Sequence, residues 1–278
     1  MIKLIKAGVI LIILVIGLFI MLSFMPGGER KVIKRLNDKD IYPSSRLLNY
    51  KDNQRINVTM VGDPSKTTLV LIHGSPGDWS AWENIIANDS IRTSYYILAI
   101  DRAGYGKTTV PALARLGSQA NVVWQALVQL QRTNNIVMVG HSYGGAVIEQ
   151  LLLDHPEASK RAILVAPTLS PELMKPRWYN KVAKWKAVNY IISKDLKSSN
   201  IEMLGLPNSL QLNEEHLNSI HTPIIYIQGK KDILVPHETV DYFKSRKPQG
   251  VNYIVVDDMN HFTPWSHPYL ITNAILEK

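Results

Sequence analysis

The chain of 278 residues contains no cysteine, and its acidic residues are fewer than its basic ones, 23 against 31. Without cysteine there is no disulfide framework, no thiolate metal site and no cysteine nucleophile. A hydrophobic fraction of 46% over this length is enough for a full core that needs no cross-links. The formal net charge of +8 indicates an anionic partner, either a nucleic acid or a membrane surface.

Charge is also missing from one long stretch near the N-terminus, between Ala7 and Met25. As a helix this stretch would be about 28 Å long at about 1.5 Å per residue, close to the bilayer's hydrocarbon core of about 30 Å. It therefore predicts a membrane anchor over residues 1–25. A cleaved signal peptide is the alternative, although its apolar core is usually about 7–15 residues and the sequence LSFMP is a poor cleavage site.

The orientation of this anchor rests on the basic residues at its two ends. Lys3 and Lys6 precede the run, and a short basic head before a single span often stays in the cytoplasm. A larger group of basic residues follows the run between Arg30 and Arg35, which favours the opposite orientation. Since long domains cross the membrane largely regardless of such charges, we expect the catalytic domain outside the cytoplasm.

The rest of the chain divides into a tether and one domain. Residues 26–55 are polar, begin with Pro-Gly-Gly and show no sustained period, which predicts a polar tether. From residue 56 to 278, apolar runs alternate with segments of helical period, which predicts an α/β fold with a mostly parallel central sheet flanked by helices. The alternation breaks once, at residues 168–221, where we expect a helical lid insertion. The predicted strands are Ile56–Val61, Leu69–Ile72, Tyr96–Ile100, Ile136–Val139, Ala162–Ala166, Ile224–Ile227 and Tyr253–Val256, and the predicted helices are Trp82–Ile91, Gly117–Gln131, Gly144–Asp154, Glu238–Lys244 and Pro268–Leu276.

A candidate nucleophile follows the predicted strand at Ile136–Val139. The sequence there continues as Gly-His-Ser-Tyr-Gly and then takes on a helical pattern. This is the G-x-S-x-G pattern in the setting that it requires, a strand followed by a sharp turn and a helix. The glycines are needed because a Cβ beside the strained serine would collide with neighbouring backbone. The pattern predicts that Ser142 is the catalytic nucleophile.

A serine hydroxyl is a weak nucleophile at neutral pH and needs a base and an orienting acid. In this strand–turn–helix setting the expected chain order is serine, acid, histidine. Asp232 follows the predicted strand Ile224–Ile227, and His261 follows the predicted strand Tyr253–Val256. Parallel strands end at the same edge of a sheet, so we expect both side chains to meet Ser142 there. Asp257 and Asp258 are competing acids, but they lie close to His261 in sequence and approach it less easily.

The loop after Leu69–Ile72 has the sequence His-Gly-Ser-Pro-Gly. We predict that this loop stabilises the negative charge of the reaction intermediate. A tetrahedral oxyanion needs about two fixed N–H donors, and losing one costs about 3–4 kcal/mol of barrier. The backbone N–H groups of Ser75 and Tyr143 are the expected pair. His73 is expected to have a structural role only.

The chain resembles the α/β-hydrolase superfamily in the identity, order and spacing of its motifs, which are HGSPG, DRAGYGKT, GHSYGG, the Asp232 loop and NHF at residues 260–262. The resemblance covers about residue 56 to the C-terminus, except for the lid. It implies a hydrolase with a Ser-Asp-His triad, no cofactor and no metal. Relatives that open epoxides or remove halides carry aspartate as the nucleophile, so serine at position 142 disfavours those reactions. HGSPG differs by one residue from the HGGPG of proline-type aminopeptidases, which leaves amide substrates open.

The predicted lid collects aromatic and basic residues. Trp178, Tyr179 and Trp185 are candidate substrate-binding residues, and Trp178, Val182 and Trp185 recur near helical spacing. One interpretation packs the tryptophans onto an acyl pocket with the basic residues in water, and another makes the segment an interfacial helix on a membrane. Nucleic acid is not expected as a partner, because no recognition motif accompanies the charge. The basic residues are Lys175, Arg177, Lys181, Lys184, Lys186, Lys194 and Lys197.

Together these patterns predict a membrane-anchored serine hydrolase that cleaves a carboxylic ester with an apolar, lipid-like acyl group through an acyl-enzyme on Ser142. Two alternatives stay open: an amidase or proline-type aminopeptidase, and a non-catalytic binding module with a hydrolase-like fold. A complete set of triad residues argues against the binding module. The sequence leaves the oligomeric state undetermined.

Overall fold

Eight strands form one sheet at the centre of the computed structural model, which describes residues 28–247 and 249–277. The strand order across the sheet is β1-β2-β4-β3-β5-β6-β7-β8. The strands β3 to β8 are parallel to one another, whereas β2 runs antiparallel to β1 and β4. The strands are β1 (Ser44–Asn49), β2 (Arg55–Val61), β3 (Thr67–Ile72), β4 (Tyr95–Ile100), β5 (Ile136–His141), β6 (Ser159–Val165), β7 (Ile224–Gly229) and β8 (Val251–Val256).

All strands that the apolar runs predict are confirmed, with ends that shift by up to three residues. The predicted helix Trp82–Ile91 is instead a 3-10 turn followed by two short helices. The described helices are α1 (Gly28–Asn37), α2 (Glu83–Ile86), α3 (Asp89–Ser94), α4 (Leu116–Gln129), α5 (Tyr143–Asp154), α6 (Trp178–Val182), α7 (Lys186–Ile191), α8 (Lys194–Asn213), α9 (Glu238–Arg246), α10 (Thr263–Ser266) and α11 (Pro268–Leu276).

Both faces of the sheet are buried, which explains why its central strands are continuous apolar runs. On one face Val70 and Met138 lie in a core that includes residues of α4 and α5. On the other face Leu71 and Val139 lie in a second core with Trp82 and residues of α11. Each fully buried aliphatic side chain stabilises the fold by about 1.5–3 kcal/mol relative to exposure. The carboxyl ends of the parallel strands therefore project from a rigid frame.

The predicted tether is wrong from residue 28 onward, because residues 28–55 contain a helix and a strand that belong to the fold. Helix α1 buries Val32 and Leu36, which are four residues apart on one helical face, in the second core. Strand β1 pairs along its whole length with β2 and buries Leu48. The Arg35 side chain of α1 also donates two hydrogen bonds of 2.6 Å to Glu83. These contacts make residues 28–55 part of the domain.

The predicted anchor over residues 7–25 lies outside the described residues. Across residues 28–247 and 249–277, none of the helices has the length and apolar character that a membrane span requires.

Helices lie between β6 and β7, where the strand–helix alternation breaks, and their role as a lid stays a prediction. This insertion, residues 168–221, contains the short helices α6 and α7, the long helix α8 and a 3-10 turn at Glu214–Ser219. Leu206 and Leu210 of α8 are buried in the same core as α4 and α5. Helix α8 is therefore packed on the sheet domain and not held only at its ends.

Candidate active site

Ser142 lies in a strained turn between β5 and α5. Its backbone has φ 54° and ψ −121°, a conformation that costs about 1–3 kcal/mol for a residue with a side chain. The turn is closely packed: a Cβ at Gly140 would lie 2.5 Å from the Gly144 carbonyl oxygen, and a Cβ at Gly144 would lie 2.2 Å from the Ile72 carbonyl oxygen. The Ser142 N–H donates to the Val165 carbonyl at 2.8 Å, which ties the turn to β6.

Asp232 and His261 meet at the carboxyl ends of β7 and β8. The distance from His261 Nδ1 to Asp232 Oδ2 is 2.7 Å, and both residues are 6% exposed. Gln228 Nε2 also donates to Asp232 Oδ2 at 3.2 Å, while the other oxygen, Oδ1, accepts the N–H groups of Leu234 and Val235 at 2.9 and 2.8 Å. A carboxylate facing Nδ1 holds the proton on that nitrogen and leaves the His261 Nε2 lone pair free to accept one.

The competing acids point elsewhere. Asp257 forms a 2.8 Å ion pair with Lys230 on the surface, and Asp258 is exposed. Asp232 is the carboxylate that contacts the His261 ring.

A second histidine connects the serine turn to the His261 loop. His141, the residue before Ser142, has its Nε2 atom 2.9 Å from the His261 carbonyl oxygen, and the two rings are 4.9 Å apart between centroids. Burial and then the nearby His261 lower the pKa of His141 to about 3. The ring is therefore neutral and donates its Nε2 proton to the carbonyl. His141 occupies a variable position of the G-x-S-x-G motif, and its place directly beside the nucleophile is the one signal in the sequence that points to it.

The loop after β3 passes directly beside the nucleophile. A Cβ at Gly74 would lie 3.1 Å from Ser142 Cβ and 3.0 Å from His141 Nδ1, so the backbone approaches more closely than a larger residue allows. Ser75, the next residue, is the expected source of one oxyanion donor. The other, Tyr143, is the first residue of α5, where backbone N–H groups have no acceptor within the helix. Both N–H groups thus belong to segments that adjoin Ser142.

His73 is buried and has a structural position. Its Nε2 atom accepts the N–H of Arg102 at 3.0 Å, so the ring proton lies on Nδ1, which donates to the Gly74 carbonyl at 2.8 Å. Burial, and then the Arg102 charge, hold the pKa of His73 well below its ordinary value. The neutral ring fixes the loop and leaves no basic nitrogen for proton transfer.

The aromatic residues expected to bind substrate are exposed. Trp178 and Trp185 are 53% and 65% exposed, and Tyr179 stacks edge-on against Trp178 on the same surface. This exposure corrects the interpretation in which the tryptophans pack onto an acyl pocket. The physical reason is that α6 and α7 have only five and six residues, too few to bury a continuous apolar face, whereas α8 has 20. A substrate-binding role for these rings stays a prediction.

A metal ion would need several His, Asp or Glu side chains close together. Within residues 28–247 and 249–277, no three His, Asp or Glu side chains are grouped so that they could hold a metal ion.

Part of the chain matches a known protein family. The family model described as the alpha/beta hydrolase fold matches residues 67–191, which include the β3 loop and the Ser142 turn. A pimeloyl-[acyl-carrier protein] methyl ester esterase of Proteus mirabilis (strain HI4320) is 23% identical over 248 residues, covering 77% of this chain and 92% of the relative. A 1-acylglycerol-3-phosphate O-acyltransferase of Arabidopsis thaliana is 28% identical over 139 residues, covering 46% of this chain and 32% of the relative.

The chain spans about a third of the length of the first acyltransferase relatives that it matches. Among solved structures, an esterase from Exiguobacterium antarcticum superposes with a TM-score of 0.65 at 18% identity, covering 84% of this chain and 98% of that one. This structural likeness concerns the fold. The strand order, the serine turn and the family model matched over residues 67–191 together show that the chain has the α/β-hydrolase fold.

Proposed function

We propose that this chain hydrolyses a carboxylic ester through an acyl-enzyme on Ser142. The observation that carries the proposal is the 2.7 Å contact between buried Asp232 and His261, on loops that meet the strained Ser142 turn through His141. A buried acid–histidine pair next to a strained serine is the arrangement that activates a hydroxyl nucleophile.

In the first half of the proposed reaction, Ser142 Oγ attacks the ester carbonyl carbon while His261 Nε2 takes the hydroxyl proton. The carbonyl oxygen becomes an oxyanion, and the backbone N–H groups of Ser75 and Tyr143 stabilise it. Asp232 stabilises the imidazolium that forms. When the tetrahedral intermediate collapses, the bond to the alcohol oxygen breaks and His261 returns the proton to that oxygen.

In the second half, water attacks the acyl group on Ser142 and gives its proton to His261. The new intermediate collapses with release of the carboxylic acid, and the proton passes from His261 back to Ser142 Oγ. Every proton transfer passes through His261 Nε2, so the reaction requires no metal or cofactor.

The proposed substrate carries an apolar, lipid-like acyl group. The relatives' names support this class: one is an esterase of a pimeloyl methyl ester and another acts on 1-acylglycerol 3-phosphate. The similarity of HGSPG to the proline-type aminopeptidase motif keeps amides as the alternative substrate. Purified full-length protein assayed with p-nitrophenyl esters of increasing chain length and with aminoacyl p-nitroanilides separates these classes. Faster turnover of anilides than of every ester would overturn the ester assignment.

Membrane attachment is also proposed, with residues 7–25 as the anchor and the hydrolase domain outside the cytoplasm. Because α1 begins at Gly28, such an anchor would be joined to the folded domain by a chain of only about 10 Å at about 3.5 Å per residue. The domain would therefore lie against the bilayer and not on a long tether.

The exposed face of α6 and α7 supports this proposal as a second membrane contact. Tyr190 and Ile191 are 89% and 83% exposed, next to exposed Trp185, and Lys181 and Lys184 are exposed on the same segment. Exposed aromatic and aliphatic side chains beside lysines are typical of segments that lie at the surface of an anionic bilayer. The occupant proposed for this face is an anionic lipid surface.

A further inference from the structure

A buried ion pair joins the helical insertion to the loop that carries Ser75. Arg102 follows β4, Glu202 lies on α8, and both side chains have no exposed surface. Arg102 Nη1 donates to Glu202 Oε1, and Arg102 Nη2 lies 3.3 Å from Glu202 Oε2. Removing two charges from water is costly, and apolar side chains of similar volume often stabilise a core equally well. We therefore expect the Arg102–Glu202 ion pair to have a role other than stability.

The guanidinium of Arg102 also holds the backbone beside the nucleophile. Its Nη2 donates to the Gly74 carbonyl at 2.9 Å, and its Nε donates to the His73 carbonyl at 2.9 Å. The Gly74–Ser75 peptide is trans and planar, so its N–H points away from its C=O. Fixing the Gly74 oxygen on Arg102 therefore fixes the direction of the Ser75 N–H, the expected oxyanion donor.

Glu202 is also connected to the Ser75 side chain by two hydrogen bonds through Tyr105. Tyr105 Oη lies 2.7 Å from Glu202 Oε2 and 2.9 Å from Ser75 Oγ. Burial, and then the Glu202 charge, raise the pKa of Tyr105 well above its ordinary value, so the phenol keeps its proton. That proton is donated to the carboxylate, and Tyr105 in turn accepts the proton of Ser75 Oγ. Gln119 Nε2 donates to Glu202 at 2.7 Å and completes the site.

We infer that Glu202 is a positioning residue for the oxyanion donor, acting through Arg102 on Gly74 and through Tyr105 on Ser75. Because Glu202 belongs to α8, the Ser75 N–H is aligned only while this helix of the insertion is packed on the sheet domain. Transition-state stabilisation thus depends on the insertion. The inference rests on the proposed function, since it assigns a role in the proposed ester hydrolysis.

The test removes the ion pair without leaving a buried charge. In the full-length protein, the double variant Arg102→Met with Glu202→Leu keeps apolar volume in the core and leaves no buried charge, so it should fold, with a melting temperature lowered by the loss of the Arg102 donor to the His73 carbonyl. With the Gly74 carbonyl held by the His73 ring alone, kcat for a p-nitrophenyl ester should fall about 10- to 100-fold, less than the 10²–10³-fold of a deleted donor. KM should change little.

A second measurement, the affinity of a transition-state analogue, tests oxyanion stabilisation directly. A trifluoromethyl ketone forms a tetrahedral adduct on the active serine, and its affinity should fall by about the same factor as kcat/KM. The matched control is Leu206→Ala on the same helix, which removes buried apolar volume but touches none of these hydrogen bonds. It should lower the melting temperature and leave kcat unchanged.

A double variant that folds and keeps its kcat and its inhibitor affinity would overturn the inference. If that variant does not fold, Tyr105→Phe replaces it, since it removes only the hydroxyl between Ser75 and Glu202. Tyr105→Phe should lower kcat several-fold with a near-native melting temperature, and unchanged kcat would equally overturn the inference. A wild-type protein that turns over no ester is a different result and contradicts the proposed function.

Discussion

Replacing Asp232 by asparagine should abolish most activity while leaving the fold intact. The two oxygens of Asp232 have different neighbours: Oδ1 accepts two backbone N–H groups, from Leu234 and Val235, whereas Oδ2 faces His261 Nδ1 and Gln228 Nε2. The backbone donors require an oxygen on their side. The asparagine NH₂ is therefore forced toward His261.

An NH₂ group in that position reverses the hydrogen bond to the histidine. His261 Nδ1 must then accept, so the ring proton moves to Nε2, and Nε2 no longer takes the proton of Ser142. We expect kcat to fall about 10⁴-fold, which corresponds to about 5 kcal/mol of barrier at about 1.36 kcal/mol per decade. The NH₂ also meets the Gln228 donor, and the mismatch should lower stability by about 1–3 kcal/mol.

The assay is kcat for a p-nitrophenyl ester together with a urea unfolding curve. Asp258→Asn is the matched control because it makes the same chemical change at an exposed aspartate next to the same loop. It should keep nearly full activity and stability. More than a tenth of wild-type activity in Asp232→Asn, or an equal loss in Asp258→Asn, would refute the assignment of the acid.

Three further predictions concern the turn, the core and the surface. Gly144→Ala should prevent folding or lower the free energy of unfolding by more than about 3 kcal/mol in urea unfolding, because the added Cβ would lie 2.2 Å from the Ile72 carbonyl oxygen. Burial raises the pKa of Glu149 to about 8, so the folded state holds a proton that the unfolded state releases above about pH 4.5. Stability should therefore fall as pH rises from about 4.5 to 8, by up to about 1.4 kcal/mol per pH unit, and Glu149→Gln should flatten this slope in unfolding curves measured across the range. In protein that lacks residues 1–27, and so the proposed anchor, Lys181→Gln with Lys184→Gln should weaken flotation with anionic vesicles about 30-fold at about 1 kcal/mol per lysine, with no change in turnover of a soluble ester; equal binding with and without the two substitutions would contradict the membrane face.

The parallel strands could be predicted because strands buried on both sides, such as β3 and β5, are apolar runs bounded by turn residues. Strand β1 could not, since it lies at the sheet edge and Leu48 is its one buried residue. Helix α1 shows the same limit: Val32 and Leu36 are its buried positions, and the surrounding charges resemble a solvated segment. Elements at the edge of a fold carry too few buried residues to stand out from a tether.

The positions proposed for catalysis could be predicted because each follows a strand, and parallel strands end together. The groups that orient them could not. Arg102 and Glu202 are separated by 100 residues in the chain, and charged residues are usually exposed, so nothing in the sequence pairs them. The exposure of Trp178 and Trp185 could not be predicted from the sequence either, since tryptophans at helical spacing are equally typical of a buried face.

The central claim is that Ser142 carries the acyl group, and covalent labelling tests it most directly. A fluorophosphonate probe should modify the wild-type protein, with the adduct located by peptide mass spectrometry on the tryptic fragment that contains Ser142. Ser142→Ala should neither be labelled nor hydrolyse esters, while its melting temperature stays close to that of the wild type. Labelling of the Ser142→Ala protein at the wild-type level, or an adduct on another residue of the wild type, would contradict the account.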